Sequence, residues 1–226
     1  MKILCFALLT FFLFDFTIAQ KLPEGYILQY KQDFNNGKSL SDFAFDHPSH
    51  WGIFSGNGNY FLQRTGSSDS LTKPGLPSVT ALVNNKVFGD FILEADVMPV
   101  TDSNGFGEIC LFLGFKDDSK FYYVQLANKS DSARHGIFVV KNSLPRKLTE
   151  TFPEAITWKE KKWHHVRLER DIVRRTITVF LDDMIQPVFH IKDYELVMGM
   201  VGVGSFGSPC RFDNLRVWSQ TVITEE

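Results

Sequence analysis

The chain has 226 residues, 44% of them hydrophobic and 22% charged, a balance that belongs to a folded globular protein and excludes a disordered one. Its 24 Lys and Arg against 26 Asp and Glu leave a formal charge of −2, so no basic field exists to hold nucleic acid or an anionic membrane.

Residues 1–19 read as a secretory leader. Lys2 supplies the positive start, Ile3 to Phe14 an apolar run, and Thr17 and Ala19 the small residues before a cleavage site. The apolar run is shorter than the roughly 20 residues a bilayer requires, and Asp15 interrupts it. Export to a secreted or periplasmic location is therefore expected, without membrane insertion. Residues 20–226 contain no linker, low-complexity tract or internal repeat and suit one all-β domain.

In chain order, a first strand is expected over 30–34. A looped region follows over 41–77, carrying Trp51 and the turn Ser55-Gly56-Asn57-Gly58-Asn59. Alternating apolar runs then predict strands over 88–97, 108–115, 121–126, 136–141, 163–170, 176–181, 200–205 and 211–219. Between two of them, Asp117-Asp118-Ser119-Lys120 predicts a hairpin turn, because Asp and Ser satisfy the local backbone. Gly202-Val203-Gly204 reads as a strand with close backbone packing; no helix follows to make it a phosphate loop. No segment sustains a 3.6-residue period. The pattern predicts two stacked, curved antiparallel sheets, with Val124, Leu126, Val166, Leu168, Ile177, Val179 and Leu181 in the layer between them.

Cys5 lies within the leader, leaving Cys110 in an apolar strand and Cys210 in the turn before Phe212. An even pair in an oxidising compartment invites a disulfide. The other reading makes Cys110 a small buried hydrophobe and Cys210 an unpaired turn residue. Both stand open until the geometry is known.

Strand parity nominates a ligand surface. If Tyr122, Val124 and Leu126 pack inward, Phe121, Tyr123 and Gln125 face out together. A ring beside an amide suits a sugar, one covering its C–H face and the other bonding its hydroxyls. His135 begins a later strand and Arg146 follows Pro145, so both are placed at the rim of that face. His135 is a candidate general base or metal ligand, against the alternative of a structural histidine. His164 and His165 point to opposite faces, His164 beside Val166 and Leu168 and His165 with Arg167 and Glu169. They do not form a zinc site, and no Cys/His cluster at zinc spacing appears. Asn128-Lys129-Ser130 is a glycosylation sequon.

The order of Phe121-Tyr122-Tyr123, Trp163 to Leu168, Val179 to Asp183, Gly202 to Phe206 and Phe212 to Val217 resembles the concanavalin A-like, laminin-G-like jelly rolls. With Tyr122 to Leu126, His135, Ile137 to Val140 and Pro145-Arg146, it is similar to secreted bacterial domains of the 3-keto-disaccharide hydrolase type, although a His more usually stands at Gln125. The resemblance implies a carbohydrate-binding or carbohydrate-processing protein whose partner is a glycan or small saccharide. Laminarinase-type enzymes on this fold carry Glu-x-Asp-x-x-Glu on one strand. Here Glu94-Ala95-Asp96-Val97-Met98-Pro99 ends in proline where the acid/base belongs. Glu108, from another strand, is the substitute acid that an enzyme reading with His135 would use. Many such folds also hold a structural calcium near the first and last strands, where Asp33 and Asp213 stand. Three readings follow: a glycan-binding module, a glycoside or keto-disaccharide hydrolase or lyase, and a non-catalytic surface or assembly protein.

Overall fold

Short hairpins set the chain path. Asn57-Gly58 and Asn142-Ser143 both adopt positive φ, the backbone of a two-residue turn whose twist matches the flanking strands. At Asp117 the carboxylate accepts from the Ser119 amide at 2.8 Å and the Ser119 hydroxyl at 2.6 Å, closing the hairpin as its residue types predict. A computed structural model describes residues 22–35, 39–65, 75–77, 79–100, 107–150, 153–158 and 162–224. The leader expected over 1–19 lies outside the described residues.

Among the described residues the strands are, in order, β1 Ile27–Gln32, β2 Phe43–Phe45, β3 Trp51–Gly56, β4 Asn59–Arg64, β5 Val79–Val83, β6 Lys86–Val87, β7 Phe91–Pro99, β8 Glu108–Asp117 and β9 Lys120–Ala127. They continue as β10 Gly136–Lys141, β11 Leu144–Lys147, β12 His164–Asp171, β13 Thr176–Leu181, β14 Phe189–Lys192, β15 Met200–Ser205, β16 Cys210–Ser219 and β17 Ile223–Thr224. An eight-stranded sheet runs β14-β13-β12-β7-β16-β4-β3, with β1 also paired to β16. A seven-stranded sheet runs β11-β10-β9-β8-β15-β5-β2, and β17 pairs with β6. All pairings are antiparallel. Among the described residues no helix is long and apolar enough to cross a membrane.

The two large sheets stack face to face, and the core lies between them. Val124, Leu126, Val166, Leu168, Ile177 and Val179 are buried there as expected, with Leu181 half-buried against them. Each such side chain contributes about 1.5–3 kcal/mol by leaving water. Close approach of the neighbouring strand β5 within the same sheet explains the glycine at 202 of β15, where a Cβ would lie 2.3 Å from the Ala81 carbonyl oxygen.

Two features depart from expectation. Residues 41–77 contain β2, β3 and β4, whose short runs are broken by Gly and Ser and lack the sustained alternation of the later strands. The seven-stranded sheet is also buried on both faces. Beyond the intersheet core, Leu76, Leu82, Cys110, Phe112, Phe115, Phe121, Tyr123, Phe138 and Val140 form a second apolar cluster on its outer side.

Candidate functional site on the eight-stranded sheet

The outer face of the eight-stranded sheet carries the largest connected array of charged side chains among the described residues. Along β7, Leu93, Ala95 and Val97 enter the core, which turns Glu94 and Asp96 outward. Along β12, Val166 and Leu168 do the same and turn His165, Arg167 and Glu169 to the outer face. Strand pairing sets His165 opposite Asp96 and Arg167 opposite Glu94. On the other side of β7, β16 sets Asp213 opposite Asp96 and Arg216 opposite Glu94, with a register shift between Asp213 and Arg216. Asn214, within this bulge, has φ 50°. Bulges of this kind re-aim side chains.

The contacts form a network. The His165 Nδ1 lies 2.9 Å from Asp96 Oδ1, and its Nε2 3.7 Å from Glu94 Oε2. Asn214 donates to Asp96 Oδ2 at 2.8 Å. Arg167 donates through Nη1 to Glu94 at 2.7 Å and through Nε to Glu169 at 2.6 Å. Asp213 accepts from the Asn59 amide at 2.6 Å and from the Asn214 N–H at 2.7 Å. Charges that merely solubilise a sheet stand in water, whereas Arg167 is only 3% exposed.

These contacts displace the ordinary acidities. The bond to Asp96 raises the pKa of His165 against opposing burial, with the Glu94 and Asp96 charges adding and Arg216 opposing. Burial works to raise Asp96, but the bonds from His165 and Asn214 and the charges of His165 and Arg216 leave it below the usual carboxylate range. Asp213 is raised, by burial first, against its bonds from Asn59 and Asn214, with the fields of Asp96 and Asp33 adding.

An aromatic margin borders the charges. Phe61 lies on the outer face because its neighbour Leu62 enters the core. Its ring meets Trp163 edge-on at 5.7 Å, and the Arg211 guanidinium sits 4.9 Å from its centroid. Phe54 pairs with Phe61 across β3 and β4 and is 42% exposed.

The residues nominated by sequence fall in separate places. Tyr123, Gln125 and Glu108 share the outer face of the seven-stranded sheet, as parity implies, and Gln125 Nε2 donates to Glu108 at 3.1 Å. That face is covered rather than open. Tyr123 is 1% exposed, stacks on Phe138 at 4.7 Å and donates to the Gly75 carbonyl at 3.3 Å. The cover includes Leu76, from the region 41–77 expected to be looped. Burial raises Glu108 above the usual carboxylate range, against the Arg134 charge and the Gln125 bond.

His135 points the other way, into the sandwich. It is fully buried, packs edge-on against Phe189 at 4.8 Å and accepts from the Ala127 N–H at 3.2 Å through Nδ1. Burial pushes its pKa down to about 4, opposed by the Glu154 backbone and reinforced by Lys147. It therefore does not meet Glu108. Arg146 stands at the edge of the seven-stranded sheet and pairs with Glu195, which also holds Lys141 at 2.8 Å. Nearby, a groove of about 420 Å³ is bordered by Leu148, Pro153, Phe189 and Lys192 and contains none of the nominated residues.

The histidine pair divides as expected: His164 faces inward, bonded to Asp182 at 2.7 Å and against Trp158. Cys110 and Cys210 are free, buried thiols. Cys210 is the first residue of β16 rather than a turn residue and enters the intersheet core, while Cys110 belongs to the outer cluster. The two side chains thus serve different apolar layers. Asp33 pairs with Lys31 at 3.3 Å, and Asp213 is engaged by amide donors. Among the described residues no group of three or more His, Cys, Asp or Glu could hold a metal ion. Two carboxylates so engaged do not fit the six to eight oxygens of calcium.

Sequence parity places Glu94 and Asp96 on one outward face and His165, Arg167 and Glu169 on another. Their union depends on β7 pairing with β12, a contact between strands about seventy positions apart.

No family model matches the chain, and no curated protein matches it. Solved structures do. The carbohydrate-binding module CBM66 from Bacillus subtilis is 19% identical, covering 75% of this chain and 96% of that one at a TM-score of 0.54. Xylan beta-1,4-xylosidase from Bacillus halodurans C-125 is 17% identical, covering 88% of this chain but 40% of that one at 0.54. Peanut lectin is 11% identical, covering 88% and 99% at 0.53. These likenesses show the fold, a concanavalin A-like jelly-roll sandwich. They do not assign the site, because one fold hosts many functions.

Proposed function

We propose that this chain is a secreted carbohydrate-binding jelly-roll protein, and that its saccharide lies on the outer face of the eight-stranded sheet. The observation that carries this reading is the polar network of Glu94, Asp96, His165, Arg167 and Asn214, held half-buried beside the exposed Phe54 ring and the half-buried Trp163, which packs on the buried Phe61. A sugar presents hydroxyls along its rim and C–H groups on its faces, and this surface offers a partner to each. The names of CBM66 and peanut lectin, a carbohydrate-binding module and a lectin, agree with the reading. The leader expected over 1–19 supports export.

Binding is the favoured activity over hydrolysis. Glu94 and Asp96 are already engaged by Arg167, His165 and Asn214, and Pro99 ends the strand where a laminarinase-type acid/base would stand. His135 and Glu108 lie on opposite faces of the seven-stranded sheet and do not form an acid/base pair.

An oligosaccharide array followed by calorimetry tests the proposal. Trp163→Ala is expected to weaken the best ligand by about tenfold, the scale of one lost aromatic contact. An array on which no saccharide binds removes the reading and leaves the surface or assembly role.

A further inference from the structure

On the outer face of the eight-stranded sheet every carboxylate has at least one oxygen engaged, while one guanidinium has no partner among the described residues. Each carboxylate there receives a hydrogen bond: Glu94 and Glu169 from Arg167, Asp96 from His165 and Asn214, and Asp213 from Asn59 and Asn214. The guanidinium of Arg216 lies within the electrostatic reach of Asp96 and His165 yet makes no hydrogen bond or ion pair among the described residues. It stands in a row across the sheet, with Lys31 of β1 on one side and Glu94 then Arg167 on the other. Lys31 is turned to Asp33, and Glu94 to Arg167. Arg211 adds donors, since only its Nε is engaged, by Gln63 at 2.7 Å.

A neutral sugar brings roughly as many donors as acceptors, and its hydroxyl protons would have to share carboxylates that already accept from Arg167, His165 and the Asn59 and Asn214 amides. A ligand that brings acceptors alone, as an anion, satisfies the unengaged guanidinium without breaking a contact. We propose that the saccharide bound here is anionic, bearing a carboxylate or a sulfate that Arg216 receives through its planar fork. This rests on the carbohydrate-binding reading above and specifies its ligand. The chain's formal charge of −2 means that a general attraction to polyanions would not mimic the effect.

The test compares three probes of equal length by calorimetry on the purified protein: an oligogalacturonate, a sulfated galactan oligosaccharide and a neutral xylo-oligosaccharide. One acidic probe is expected to bind at least about tenfold tighter than the neutral one, the margin of a charge-assisted bidentate bond. Which acidic probe wins distinguishes carboxylate from sulfate. Arg216→Ala should erase the preference of the acidic over the neutral probe, and Arg216→Lys, which keeps the charge but not the fork, should restore only part of it. Should Arg216→Ala not fold, wild-type NMR titration replaces it, with the Asn214 amide and Trp163 indole signals expected to move. Equal affinity for neutral and acidic probes, or a preference that survives Arg216→Ala, overturns the inference and leaves carbohydrate binding intact. Failure of every probe, together with a blank array, removes both.

Discussion

His165 and Asp96 face each other across the β7–β12 pair, with imidazole Nδ1 2.9 Å from the carboxylate Oδ1. This contact joins two strands that the sequence separates widely, and Asn214 donates to the second Asp96 oxygen while Glu94 approaches the other side of the His165 ring at 3.7 Å. Removing the carboxylate by Asp96→Ala leaves two donors without their acceptor and is expected to cost about 1–2 kcal/mol of stability. A cycle with His165→Gln, read by urea unfolding, should return a coupling of about 1 kcal/mol between the two sites.

The same pair carries a pH signature. The pKa of His165 is raised, so its contribution is complete below the unfolded value and is lost as pH rises through the folded one. For Asp96, which is lowered, the contribution is present above the unfolded value and is lost as pH falls through the folded one. Between those limits the pair is intact, with Glu94 and Arg216 as its other charged neighbours. Titration of the His165 ring by NMR should show a raised midpoint that drops in Asp96→Asn.

Tyr123 is expected to behave as a core residue. Its ring is 1% exposed and stacked at 4.7 Å on Phe138, so Tyr123→Ala should cost about 3–4 kcal/mol, as large aromatic truncations do. Thermal unfolding measures this directly. A variant as stable as wild type would show that the cover over this face contributes little.

His135 predicts acid sensitivity. It is buried with its pKa pushed down to about 4, so between that value and its ordinary 6.5 the unfolded chain binds more protons than the folded one. Stability therefore falls as pH drops through this window, by up to about 3 kcal/mol from this residue, and is fully present above it. The slope of unfolding free energy against pH should flatten in a His135→Gln variant that folds.

Cys110 and Cys210 should resist thiol reagents. Burial pushes Cys110 well above its ordinary pKa and Cys210 up to about 12, so neither presents a thiolate near neutral pH. Labelling of these two in the native protein is expected to be negligible and complete after unfolding, and reductant should leave the electrophoretic mobility unchanged.

The sequence by itself determined the sandwich and the side of the strand each residue takes. Period-2 runs such as Tyr122, Val124, Leu126 and Val166, Leu168 force alternate side chains into one layer, and turn residues such as Asp117 and Ser119 close their hairpins locally. It also placed Glu94, Asp96, His165 and Arg167 on outward faces. Only the tertiary structure decided which faces meet water. The face of Tyr123 and Gln125 is covered by Leu76 from a segment remote in sequence, and His135 turns inward beside Phe189. The charged residues of β7, β12 and β16 become one surface because those strands pair. Alternation is a property of a single strand, readable from neighbouring residues, whereas pairing and cover are contacts across long stretches of chain that no local pattern encodes.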